Sequence, residues 1–320
     1  MLKRPGFRRC GRAAGCIYYP NKGLGPVEIM LENAHLRACV RARGAELCSV
    51  LQKDTGRECL WQGDPVLWPR QAPLLFPYCG RIKGNTFTAK GKTYPGPVHG
   101  FAQDMDFTCE EAGVDFARFV LYSSPETKEH FPYTFCLRVE YCLQGNTLRQ
   151  SVTVHNPDLP GGDTLPFSLG FHPGFALPLA PGSRAADCEF VFDTPQTPLE
   201  VKTPEGFVSG ETHVFFENAA TLPLRDELFE NDSICLSCLT ARSLALRDKK
   251  SGRFIKVQTE GFPYVLLWGP PQGPLPFVCI EPWHSLPDPV DSYGEFAGKP
   301  GLTLLPPGES YTTALQIEFG

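Results

Sequence analysis

Short runs of alternating apolar and polar residues dominate the chain from residue 28 onward. In LRVEYCL (137–143), Leu137, Val139, Tyr141 and Leu143 fall on one face, as the period-two geometry of a strand requires. Gln144, Gly145 and Asn146 follow, and TLRQSVTVHN then alternates again, which predicts a β-hairpin. LALRDKKSGRFIKVQTE repeats the arrangement around Lys-Lys-Ser-Gly, TFTAKGKTY predicts a third hairpin, and SYTTALQIEF predicts a closing strand. HLRACVRARGAELCSVLQ alternates more loosely near the start. Thirty-two prolines and 31 glycines punctuate the chain too often for long helices, and no capped stretch shows a 3.6-residue period. Residues 30–320 contain no linker, composition shift or internal repeat. The pattern therefore predicts one all-β domain over residues 28–320, a large antiparallel β-sandwich with few or no long helices.

Residues 1–27 break this pattern, with six Lys or Arg, no acid and no continuous apolar segment. They read as a basic leader outside the fold, or as an over-called start, since Met30 opens the patterned sequence. Across all 320 residues, 30 Lys plus Arg stand against 35 Asp plus Glu, a net charge of −5. That balance argues against nucleic acid, whose phosphates select a basic face. No apolar run approaches the ~20 residues of a membrane span. The thirteen cysteines form no regular framework. With no export signal, they predict free thiols and a cytoplasmic protein. Cys235 and Cys238 form the one CxxC, but it lies in an apolar run read as a strand. Residues three apart there point to opposite faces, and no second CxxC completes a zinc site.

Four segments place polar groups where strand alternation does not demand them: WPRQAPLLFPYCGRIKGN with Arg70 and Arg81, PVHGFAQD with His99, PFSLGFHPGF with His172, and FVCIEPWHSLPD with Glu281 and His284. Each has an ordinary structural reading. A histidine among glycines and aromatics is commonly a satisfied core residue, Arg81 could pair with an acid, and Trp283 could be core. Glu281 is harder to dismiss, because a carboxylate ending the apolar run Val-Cys-Ile is expensive to bury unpaired. Two histidines, a carboxylate and an arginine in apolar surroundings suggest a pocket. A metal could recruit His99, His172, Glu281 and His284, but no HxH or HxxxH spacing supports it. Ser168 and the cysteines lack a nucleophile context such as GxSxG. A histidine acid and a glutamate base on opposite sides of a small substrate suit the set better.

In order along the chain, APLLFPYCGRI, HGFA, FSLGFHPGF and CIEPW resemble the aldose 1-epimerase (galactose mutarotase) family, in particular its bacterial LacX-like branch. The resemblance runs from residue 28 to the C-terminus. It implies a galactose mutarotase-like β-supersandwich with a sugar site on a sheet face. It also implies no cofactor or metal, a small aldose as partner, and a monomer or homodimer. His172 would protonate the ring oxygen, and Glu281 would take the proton of the anomeric hydroxyl. An ionised Glu281 would favour the imidazolium form of His172. His99 and Arg81 would hold sugar hydroxyls, and Asp232 in LFENDSIC occupies a sugar-binding position. Trp283, Trp68 and Phe101 are candidate platforms for a sugar's CH face, while Phe171, Pro173 and Phe175 would frame His172. Two departures matter: Gly80-Arg81 stands where better-known galactose mutarotases have Asn-Arg, and Gln103 follows HGFA where many relatives have arginine. The second weakens a hexose 6-phosphate reading unless Arg70 or Lys83 compensates. A free aldohexose such as glucose or galactose is the expected substrate. The alternatives are hexose 6-phosphate epimerisation and non-catalytic sugar binding on the same fold.

Overall fold

The computed structural model describes residues 27–271 and 273–320. All of the basic leader except Val27 lies outside the described residues. Cys136–Gln144 and Thr147–His155 pair antiparallel from Gln144 opposite Thr147 to Cys136 opposite His155, so Gly145 and Asn146 form the turn. Leu137, Val139, Tyr141 and Leu143 are all buried, as their alternation predicts. Ser243–Asp248 with Phe254–Gln258, and Thr86–Ala89 with Lys92–Pro95, are the other two predicted hairpins.

Among the described residues the two largest sheets have nine and eight strands, and every strand pair is antiparallel. The C-terminal strand Ser310–Phe319 lies in the middle of the nine-stranded sheet, between Thr147–His155 and Phe254–Gln258. A four-stranded sheet begins with Glu28–Glu32 and Leu36–Arg41. Among the described residues helical structure is confined to short turns, the α-helical one being Pro125–Lys128 behind a Ser124 capping box. No helix among the described residues is long and apolar enough to cross a membrane.

The eight-stranded sheet positions the candidate site through its strand Phe277–Trp283. This strand is flanked by Tyr264–Trp268 on one side and by Gly170–Phe171 and Gly174–Ala176 on the other. All seven of its residues are buried. Val278 and Ile280 join the main core, together with Val265, Leu267, Leu236 and Ile234 of the neighbouring strands and with Val139, Val152 and Ile317 of the nine-stranded sheet. Trp283 packs on the other face in a smaller cluster with Leu266, Cys235, Leu75 and Cys79. Burial on both faces explains why this segment reads as a continuous apolar run without alternation.

Gly170 makes this second face possible. It sits opposite both Trp283 and Leu75. A Cβ there would lie 2.7 Å from Cys79 Sγ and 2.9 Å from Trp283 Cδ1. Gly170→Ala should therefore lower stability by roughly 1–3 kcal/mol through overpacking. An unchanged urea-unfolding midpoint would show that the three neighbours yield freely.

Candidate active site

His172 and Glu281 reach one spot because alternation turns them there. Phe171 enters the main core, so the next residue, His172, faces the opposite side of the sheet. Ile280 likewise enters the core, and Glu281 follows on the other face, with Leu266 as its cross-strand partner. His172 Nε2 lies 3.2 Å from Glu281 Oε2. Their fractional exposures are only 7% and 1%. Trp68 stacks on the His172 ring at 4.8 Å, while His99 and Trp268 meet it edge-on at 5.3 and 5.9 Å. The pair sits in a cavity of about 190 Å³ that Arg81, His99, Asp232 and Trp283 also line.

His99 is held by two hydrogen bonds to one residue. Its N–H donates to Gly80 O at 2.9 Å, and its Nδ1 accepts the Gly80 N–H at 3.1 Å. An Nδ1 that accepts leaves the ring proton of the neutral imidazole on Nε2. Burial, reinforced by the charges of Arg81 and Arg70, lowers the His99 pKa to about 3, so the ring is neutral near pH 7.

Arg81 is exposed, and its guanidinium has no hydrogen bond or ion pair among the described residues. Its main chain is fixed from the segment that follows Glu281. The Asp288 N–H donates to Arg81 O at 2.9 Å, and Asp288 Oδ2 accepts the Lys83 N–H at 3.0 Å. The same carboxylate forms a buried ion pair with Lys299 at 2.9 Å. Pro287 lies against Gly80, which has φ +76; a Cβ there would come within 2.4 Å of the proline ring. The Gly-Arg departure from Asn-Arg is therefore built into the packing, since no side chain fits at residue 80. Asp232 is exposed at the end of the Asp226–Phe229 turn, with φ +74.

The electrostatics depart from the expected ion pair. Burial, and then the Asp232 charge, push the Glu281 carboxyl well above the usual carboxylate range. The Trp283 indole opposes this, although its Nε1 lacks hydrogen-bond geometry to any acceptor. Burial, and then His99, push His172 well below the ordinary histidine range. Both shifts favour uncharged forms, because both groups are buried and each charge would be desolvated. A neutral acid beside a neutral imidazole holds the same number of protons as a carboxylate beside an imidazolium. One proton transfer across the 3.2 Å contact interconverts the two arrangements.

Other expectations fare differently. Trp283 and Trp68 line the cavity. Phe101, Phe171 and Phe175 lie in the main core, so the rings around His172 are Trp68, Trp268 and His99 instead. His284 faces away, packing on Phe262 at 4.6 Å and hydrogen-bonding Thr313 Oγ1 at 3.1 Å, so the four-residue metal set does not assemble. Arg70 is engaged by Asp104, Glu46 and the Gln103 carbonyl, and Lys83 Nζ by the Val290 carbonyl. Gln103 is buried, and its Nε2 donates to Val98 O at 2.9 Å. Ser168 is buried 3.9 Å from Cys79 Sγ. Cys235 is buried in the strand Ile234–Ser237, whereas Cys238 lies just past its end, exposed and with φ +59, so the turn that ends the strand separates the two rather than the alternation expected of one continuous strand. The sequence reading missed Trp268 and Cys279, which are cross-strand partners beside the pair. Cys279, two residues before Glu281, was visible as sharing its face; the Trp268 contact depends on register.

The family model described as aldose 1-epimerase matches residues 28–318. The chain belongs to the aldose 1-epimerase family. That family is a class of isomerases acting on sugars, which makes the protein a carbohydrate epimerase. Protein LacX (chromosomal) of Lactococcus lactis subsp. lactis is 33% identical over 287 residues, covering 87% of this chain and 95% of its own. The crystal structure of a galactose mutarotase related enzyme from Lactobacillus acidophilus superposes with a TM-score of 0.86 at 31% identity. It covers 92% of this chain and 97% of that one. A galactose mutarotase-like protein from Lactobacillus casei gives 0.84 at 30% identity, covering 92% of this chain and 100% of its own.

Partly buried histidines make the stability of this epimerase acid-sensitive. Burial lowers the His284 pKa from 6.5 to about 4. A group whose folded pKa is depressed below its unfolded value leaves the unfolded chain binding the extra proton first. Stability is therefore retained above pH 6.5 and lost as pH falls towards 4. His99 acts with the same sign. His284→Gln should remove on the order of 2 kcal/mol of that acid-dependent loss. Urea unfolding of wild type and variant at pH 7 and pH 4.5 checks this, and parallel pH dependences would contradict it.

Proposed function

We propose that the protein interconverts the α and β anomers of a free aldohexose such as glucose or galactose, with His172 as general acid and Glu281 as general base. The contact between His172 Nε2 and Glu281 Oε2, at 3.2 Å inside a cavity of monosaccharide scale, carries this reading. Acid and base on opposite sides of the sugar, as first expected, are not what the chemistry requires. The ring oxygen and the anomeric hydroxyl share one carbon, C1, so an acid and a base in contact with each other can serve both.

The carboxylate of Glu281 takes the proton from O1–H. That bond's electrons form C1=O1, the C1–O5 bond breaks, and O5 receives the proton of His172. The aldehyde rotates about C1–C2. On closure O5 returns its proton to His172, attacks the other face of C1, and O1 recovers the proton from Glu281. The reaction starts from the ionised tautomer of the pair, which burial disfavours and which hydrogen bonds from sugar hydroxyls stabilise. Arg81 and Asp232 offer a free donor and an acceptor at the rim, His99 Nε2–H a fixed donor, and Trp68 and Trp283 apolar faces for the CH side of the ring. Among the described residues, Arg81 is the one arginine or lysine lining the cavity, and with Arg70 and Lys83 engaged elsewhere an unphosphorylated sugar is favoured. We also read residues 28–320 as one domain, since a single buried cluster runs from Ile29 to Phe319.

Anomer exchange of glucose, galactose and glucose 6-phosphate, followed by NMR, tests the proposal. Glu281→Gln and His172→Asn should each lower kcat by about 10²–10⁴-fold. The double variant should fall little further, because the two act as a unit. Arg81→Ala should instead raise KM with a smaller effect on kcat. Binding of a sugar without acceleration over buffer by the wild type would leave a non-catalytic binding protein.

A further inference from the structure

The reaction makes no use of Cys279, yet this thiol lies on the same strand face as Glu281 and directly beside the acid–base pair. His172, Cys279 and Glu281 each offer one ligand atom, all three atoms lie within 4.8 Å of one another, and all three residues are buried. Cys279 is a free cysteine. An imidazole nitrogen, a sulfur and a carboxylate oxygen are the donor types that hold Zn²⁺ at about 2.0–2.3 Å, with three protein ligands and one open position. His172 and Glu281 line the cavity, from which a water or a hydroxyl can reach the fourth position. Cys279 and Glu281 share the strand Phe277–Trp283, and His172 follows directly on Gly170–Phe171, which pairs with it, the His172–Glu281 contact being 3.2 Å, so capture of an ion requires only small side-chain movements.

We propose that His172, Cys279 and Glu281 form a binding site for a thiophilic divalent cation of the Zn²⁺ class, and that the bound ion competes with the sugar. A sulfur ligand selects such ions over Mg²⁺ or Ca²⁺, which take oxygen donors. Coordination occupies the lone pair of His172 Nε2 and the carboxylate of Glu281, so the loaded protein is an inactive form. The cation site itself stands on the three donors; only the competition rests on the sugar reading.

Co²⁺ added to the full chain, at a stoichiometric amount, should produce a thiolate-to-cobalt charge-transfer band. Cys279→Ala and Cys279→Ser should each lose the band and weaken Zn²⁺ binding at least about tenfold, while folded by circular dichroism. Glu28, Cys39 and Cys48 form another triad of potential ligands, in which Glu28 is exposed. Cys39→Ala must therefore retain the band. No band in the wild type, or a band that survives Cys279→Ala and vanishes in Cys39→Ala, overturns the proposal. Saturating galactose should weaken Co²⁺ binding. A band that needs Cys279 but ignores galactose and glucose upholds the cation site and counts against the sugar reading.

Discussion

The strand Phe277–Trp283 is buried along its whole length, and the site depends on how it meets that constraint. A central strand with two buried faces must satisfy both at once, and its period-two geometry assigns residues to them without choice. Val278 and Ile280 fill the core between the large sheets, whereas Cys279, Glu281 and Trp283 turn to the other side. That second face cannot be plain core, because it carries a carboxylate. The fold meets the cost by bringing His172 to Glu281 from the adjacent strand and by leaving a cavity above them.

Desolvation gives this pair its chemical character. In water the histidine and glutamate would titrate independently near their ordinary values. In the site, burial raises one and lowers the other, so a single proton transfer separates a neutral pair from an ion pair. Such a pair is sensitive to any ligand that supplies hydrogen bonds to one tautomer. The wall of Trp68, Trp268 and His99 maintains the low polarity that makes it so. The segment after Glu281 extends the same economy of chain: Pro287 and Asp288, a few residues on, fix the backbone of Gly80 and Arg81. Strand, turn and arginine loop therefore form one mechanical unit.

Much of this was legible in the sequence, and the part that was not has a common cause. The hairpin at Gly145 and Asn146 could be read because its strands are neighbours in the chain and both alternate. His172, Glu281, His99 and Arg81 stood out as residues whose types did not suit their surroundings, Trp283 was a candidate sugar platform, and Asp232 came only from the family resemblance; all six line the cavity. Phe101, a candidate sugar platform, lies in the core, and Phe171 and Phe175 were misassigned through sequence proximity to His172. In a strand the residue next to His172 points to the opposite face, so nearness along the chain implies separation across the sheet.

By itself, then, the sequence determined the all-β antiparallel class, the hairpins and the residue types available for acid–base chemistry, because alternation and local turns are properties of short segments. The tertiary structure alone decided that His172 touches Glu281, that Trp268 and Cys279 stand beside them, and that Arg70, Lys83 and His284 do not. Those outcomes follow from the register among strands distant in sequence, such as Leu75 with Gly170 and Gly170 with Trp283. Protonation was decided there too, since desolvation arises only when both faces of the strand are covered.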